Sequence, residues 1–239
     1  MPLELLLEVK NLTVQYEDGK DNFIRPIIDV SLALSASEVL ALTGPSGSGK
    51  STLLDFATGM LTREADVLSG SVSLRGRELV SPKDFERARR FDIGSVAQSD
   101  NLLPFLNVGE NVRLAALFQG KDDQNGNRQL RSTEALKAVG LTEFEHRMPA
   151  TLSGGQRQRV AVARAISAGA SVIVLDEPTA SLDAKSSEQL MGVLLELARG
   201  GFGVVIASHD PICFESATRS VAITGGALVA TRGSNKHDA

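Results

Sequence analysis

The run Gly44-Pro45-Ser46-Gly47-Ser48-Gly49-Lys50-Ser51 fits the pattern G-x-x-x-x-G-K-[ST]. Its glycines let successive backbone N–H groups turn toward one anion, and a helix starting there adds the positive end of its dipole. Lys50 is expected to reach the β- and γ-phosphates of a nucleotide and Ser51 to ligate Mg²⁺, with Thr52 continuing the phosphate-binding segment. A second acidic group complements this loop. Asp176-Glu177 directly follows the apolar run Ser171-Val172-Ile173-Val174-Leu175, which places both carboxylates at the carboxyl end of a buried strand. One can hold Mg²⁺ and the other can orient an attacking water. Their position alone leaves open which of Asp176 and Glu177 takes which role.

Such residues work only if the chain folds to gather them, and the hydrophobic pattern says how. Alternation toward Tyr16 predicts a strand over Leu5 to Tyr16, a turn at Asp18 to Asn22 and a second strand over Ile27 to Leu34. Val39-Leu40-Ala41-Leu42 reads as a buried strand, followed by the glycine-rich loop and a helix carrying Leu53, Leu54, Ala57 and Leu61. Gly70 to Val80 reads as a strand pair. Helical spacing then dominates over Asn111 to Phe118, Leu130 to Val139 and Gln156 to Ile166, an expected helical subdomain of about 99–168. Buried strands return at Ser171 to Leu175 and Gly203 to Ala207, with a helix stripe of Leu190, Val193, Leu194 and Leu197 between them. Buried strands alternating with helices predict an α/β fold with a mainly parallel sheet, ligands binding at its carboxyl edge.

Composition narrows the class. The 239 residues are 42% hydrophobic and 23% charged, a balance that excludes disorder and coiled coil and suits one folding unit over 1–239. A net charge of −4 argues against a nucleic-acid partner. Cys213 is the single cysteine, so no intramolecular disulfide and no multi-cysteine zinc site is expected. No run of about eighteen apolar residues is present to span a membrane, and the Leu5-Leu6-Leu7 run is too short for a secretory signal.

Leu152-Ser153-Gly154-Gly155-Gln156 precedes the helical segment QRQRVAVARAI and resembles the LSGGQ signature of ATP-binding cassette ATPases. A serine and two glycines at a helix start make a second anion site, whereas one ATP has one phosphate chain. The second site therefore calls for a second nucleotide or subunit. The resemblance implies two cassettes paired head to tail, as a homo- or heterodimer, each signature capping the γ-phosphate held by the other's phosphate loop. Plain N-capping by Ser153 is compatible with this.

The family's further elements follow in order. Gln98, after Ile93 to Ala97, resembles the Q-loop glutamine, implied to contact Mg²⁺ and water. Ser181-Leu182-Asp183 resembles the D-loop, implied to cross the dimer interface. His209 matches the switch histidine, and Tyr16 stands where an aromatic ring stacks on adenine. Together these imply a P-loop NTPase core, an antiparallel β subdomain and a helical insertion, binding ATP and Mg²⁺ and hydrolysing ATP. Polytopic membrane permeases in separate chains are the implied partners, met through Ser99 to Val112, with the cassette cytoplasmic on the inner face of the membrane.

Ala97, Ser208 and Asn107 depart from the residues common at their positions, where an aromatic and two threonines are frequent. The chain is most similar to small stand-alone cassettes of the lipoprotein-release and macrolide-export type. Importer cassettes stay close, and exporters with fused membrane domains fit less well. Non-transport cassettes, serving iron–sulfur cluster assembly or signalling across the membrane in cell division, share the same catalytic residues. Arg87, Arg89 and Arg90 form a cluster that could dock a partner, or more simply a solvated face.

Overall fold

The computed structural model describes residues 4–17, 22–62, 64–99, 101–117 and 127–230. Two sheets organise them. The first is antiparallel, in the order β2 (Phe23–Ser35), β1 (Leu5–Glu17), β4 (Ala65–Leu74), β5 (Arg77–Glu78). The second has six strands in the order β10 (Ala227–Ala230), β9 (Arg219–Thr224), β3 (Val39–Thr43), β8 (Gly203–Ala207), β7 (Val172–Asp176), β6 (Ile93–Val96). All its pairings are parallel except the β9–β10 hairpin.

Alternation along the central strands feeds two cores. Leu40, Leu42, Val172, Val174 and Val205 enter the core shared with the antiparallel sheet and α1 (Lys50–Thr58). Val39, Ala41, Ile173, Leu175, Val204 and Ile206 enter the core covered by helices. A strand buried on both faces must be apolar at every position, which is why these segments read as unbroken hydrophobic runs. Helices α3 (Val108–Leu117), α4 (Asn127–Ala138) and α5 (Gly154–Ser167) lie between β6 and β7 in the chain and pack on one another. Helix α6 (Ala184–Arg199) adds Leu190, Met191 and Leu194 to the same core, and α2 (Pro82–Phe91) and α7 (Pro211–Ser216) complete the set. Because β3, β6, β7 and β8 are parallel, the loops after them emerge at one edge. The α/β architecture, its mainly parallel sheet, the separate antiparallel sheet and the inserted helices agree with the sequence reading.

Several local expectations are corrected. Helix α1 stops at Thr58, where Gly59 turns left-handed at φ 68°, so Leu61 lies beyond it and packs on the core from a loop. The hairpin begins at Ala65, and Gly70 is mid-strand, where a Cβ would lie 2.7 Å from the Leu12 α-carbon. Strands β9 and β10 and helices α2 and α7 were not anticipated. Arg89 does not simply face solvent: one of its guanidinium nitrogens donates to the Thr58 and Gly59 carbonyls at 2.9 and 2.8 Å, satisfying the end of α1. Residues 18–21 of the turn expected over Asp18 to Asn22, and Phe118, lie outside the described residues. Among those described, no helix is long and apolar enough to cross a membrane.

Candidate functional site

Helix α1 begins unusually. Its N-cap, Gly49, has no side chain to accept from the first turn's N–H groups, and no side-chain cap is made. Gly49 sits at φ 104°, and a Cβ there would lie 2.2 Å from the Pro26 carbonyl oxygen. Only glycine fits both the backbone and the space. The first-turn N–H groups and the dipole are therefore left facing outward. Lys50, 6% exposed, folds back so that its Nζ donates to the Gly44 and Pro45 carbonyls at 2.9 and 3.1 Å. A cleft of about 230 Å³ lies over the loop, lined by Ser46 to Thr52 with Pro26 and Glu177.

Strand β7 delivers the carboxylates. Asp176 is its last residue, opposite Ala207 of β8. Burial pushes its carboxyl above the ordinary value, the Glu177 charge adds to this, and the neighbouring Ser51 hydroxyl and Lys50 ammonium pull the other way. Asp55 on α1 is also raised, by burial and then by the Asp176 charge. Asp176 Oδ1 and Ser48 Oγ are both buried without a hydrogen-bond partner, a costly arrangement unless something pairs with them. An uncapped helix start, a folded-back lysine and these two orphaned atoms fit a phosphate chain with a hard cation. Mg²⁺ takes one or two carboxylates and a hydroxyl alongside phosphate oxygens.

Glu177 occupies the left-handed region at φ 47°, sparsely populated for a side chain with a Cβ. Its N–H donates to the Ala207 carbonyl at 2.8 Å, which pins the turn to β8. Its Oε2 lies 2.9 Å from His209 Nδ1 and accepts from Ser208 Oγ at 3.3 Å. The loop after β8 is in turn tied to β3, Ser208 N donating to the Leu42 carbonyl at 3.1 Å. Thus the turns after β3, β7 and β8 converge on one cleft, bringing Lys50, Ser51, Asp176, Glu177 and His209 together.

Other sequence-selected residues lie elsewhere. Gln98 is exposed two residues beyond β6, on the same carboxyl edge. Tyr16 is half-buried on β1 opposite Ile24 and Ala65 and does not line the cleft, whereas Pro26, which the sequence did not single out, does. Ser153 caps α5: its Oγ accepts from Gln156 N at 3.2 Å while Gln156 Oε1 accepts from Ser153 N at 2.9 Å. Gly154 and Gly155 pack beside Leu182 and Ser186. Asp183 caps α6, accepting from Ser186 N at 2.8 Å, and those hydrogen bonds from Ser186 hold its carboxyl below the ordinary range. None of these signature residues lines the phosphate-loop cleft of the same chain. Asn107 caps α3 reciprocally with Glu110, each accepting from the other's backbone N–H at 2.8 Å. Buried Asn111 holds the preceding loop through the Leu103, Leu106 and Asn107 carbonyls.

Comparison with known proteins agrees with this geometry. A family model described as ABC transporter matches residues 27–180. The macrolide export ATP-binding/permease protein MacB of Salmonella choleraesuis (strain SC-B67) is 37% identical over 226 residues, covering 94% of this chain and 34% of MacB. The chain thus spans about a third of the length of that relative. YvrO of Bacillus subtilis (strain 168), an uncharacterized ABC transporter ATP-binding protein, is 40% identical over 227 residues, 94% of this chain and 96% of YvrO. Among solved structures, the dimeric bacterial ABC transporter cassette MJ0796 is 32% identical, with a TM-score of 0.81 over 95% of this chain and all of that one. The same cassette in a dimeric post-hydrolysis state bound to ADP and Pi superposes with a TM-score of 0.80. The chain belongs to the ABC transporter family, as its ATPase cassette.

Proposed function

We infer that this chain binds Mg·ATP on the loop Gly44 to Thr52, hydrolyses it with Glu177, and works as one half of a head-to-tail dimer that drives membrane-spanning permease subunits. One observation carries the reading: Glu177 lines the same cleft as Lys50 and Ser51, so its carboxylate faces the place where a γ-phosphate would end. In this reading the loop N–H groups and Lys50 bind the phosphate chain. Ser51, Asp176 and Gln98 hold Mg²⁺, which when bound neutralises charge developing on the phosphate oxygens.

Glu177 orients the attacking water. The new bond joins the water oxygen to the γ-phosphorus, the bond from that phosphorus to the bridging oxygen breaks, and ADP and inorganic phosphate leave. His209 contacts the γ-phosphate, Tyr16 stacks on adenine, and Ser153, Gly154, Gly155, Gln156 and Asp183 act across the dimer interface. The dimeric MJ0796 structures support the pairing. The ATP-binding/permease naming of MacB supports coupling to a membrane permease.

Glu177→Gln tests the assignment. ATP binding is expected to persist, turnover to disappear and a dimer to accumulate with ATP, read by hydrolysis assay and by size-exclusion chromatography. Normal hydrolysis by this variant would sink the assignment. A pull-down of the trapped dimer from mild detergent should carry a polytopic membrane protein, and a soluble assembly factor in its place would overturn the transport role.

A further inference from the structure

The geometry points to Ser208 as the positioning residue that fixes the Glu177 carboxylate for hydrolysis, an inference that rests on Glu177 orienting the attacking water. Nothing on the Glu177 turn itself steers that carboxylate. Among the described residues, the polar side-chain atoms on Glu177 Oε2 are His209 Nδ1 at 2.9 Å and Ser208 Oγ at 3.3 Å. The two differ in kind. The His209 side chain is 70% exposed, so water competes for its contact with the carboxylate. Ser208 is 1% exposed and stays with the sheet, its backbone N bound to the Leu42 carbonyl.

The direction of its hydroxyl is also set. Asp210 N donates into Ser208 Oγ at 3.1 Å, so a lone pair of that oxygen is occupied and its own proton is left to point at Glu177. Beneath lies Cys213, 1% exposed, whose thiol meets the hydroxyls of both Thr179, at 3.7 Å, and Ser208, a far weaker acceptor for the Ser208 proton than the Glu177 carboxylate. Burial raises this thiol above its ordinary value, so it remains a neutral neighbour. A fixed donor to one carboxylate oxygen leaves the other oriented toward the cleft. This matters most where the backbone of Glu177 is held at φ 47°, because small rotations of a misplaced carboxylate lose the in-line geometry.

Steady-state Mg·ATP hydrolysis by the full chain, with Ser208→Ala, Ser208→Thr and Glu177→Gln compared with the wild type, decides it. Loss of a hydrogen bond to a charged group is expected to lower kcat about tenfold or more in Ser208→Ala, with KM for ATP within about twofold. Ser208→Thr keeps the hydroxyl and should recover turnover to within about threefold of the wild type. In the Glu177→Gln background, Ser208→Ala should leave ATP affinity unchanged. Wild-type kcat in Ser208→Ala beside an inactive Glu177→Gln would overturn the inference, and so would equal losses in the alanine and threonine variants or a fall in ATP affinity in the Glu177→Gln background. An active Glu177→Gln would remove the reading of Glu177 itself, and this inference with it.

Discussion

The helix after the phosphate loop and the helix after Leu152 start in opposite ways. Helix α1 opens on Gly49 with no cap, an orphaned Ser48 hydroxyl beside it and an orphaned Asp176 oxygen across the cleft. Helix α5 opens on Ser153 with both halves of a capping box made, and α6 opens on Asp183 with its cap made. The first region is unsatisfied by itself, and binding an anion and a cation would complete its hydrogen bonds. The second is complete as local structure, so its residue types follow from helix capping alone. A role for Ser153 at a second phosphate is therefore a claim about chemistry that has to be separated from its cap.

Ser153→Asp makes that separation, with the largest effect expected in this comparison. Aspartate caps a helix as well as serine and suits the dipole, so melting temperature should change little. The added charge would face the γ-phosphate of the other cassette, and like charges brought together cost several kcal/mol. ATP turnover should fall by at least about tenfold while each chain still binds ATP. Ser153→Ala should show the converse in stability, losing about 2–4 °C in Tm for roughly 1 kcal/mol of cap. Wild-type turnover by Ser153→Asp would leave this serine a cap and nothing more.

The two regions also differ in how far they can be read from sequence. The parallel strands were legible because burial on both faces makes them unbroken apolar runs, and the loops after them carry the chemical motifs. Strand β4 was placed late because Asp66 to Gly70 is exposed and lacks a clean apolar alternation. The β9–β10 hairpin did carry a signal, Gly225-Gly226 between the apolar positions Val221, Ile223 and Leu228, which fits a two-residue hairpin turn. What sequence could not show is contact between distant side chains. Arg89 closes α1 from 31 positions away, and Ser208 reaches Glu177 from the same separation. The left-handed backbone of Glu177 is likewise a product of its neighbours, since glutamate has no preference for it.

Two aspartates sharpen the contrast to its smallest measurable form, because their carboxyls are shifted in opposite directions. Asp176 is raised by burial and by Glu177. Its contribution is most favourable below the ordinary value of 3.8 and is lost as pH rises through its higher folded value. Asp176→Asn should then gain stability over the wild type as pH rises, reaching about 2 °C in Tm near neutrality for the nucleotide-free protein, solvent screening included. Asp183 is lowered by its hydrogen bonds from Ser186. Its contribution is present above 3.8 and fades as pH falls through its lower folded value. Asp183→Asn keeps a capping oxygen, so it should be slightly less stable than the wild type at neutral pH, with the gap closing in acid. Melting curves followed downward from about pH 7 would therefore bring Asp176→Asn to the wild type from above before the pH falls below 3.8, whereas Asp183→Asn would close its gap from below only once the pH passes under 3.8. Should Asp176→Asn instead lie below the wild type at neutral pH, its charge would be stabilising the empty cleft, and the contrast between an unsatisfied region and a complete one would fail at its central residue.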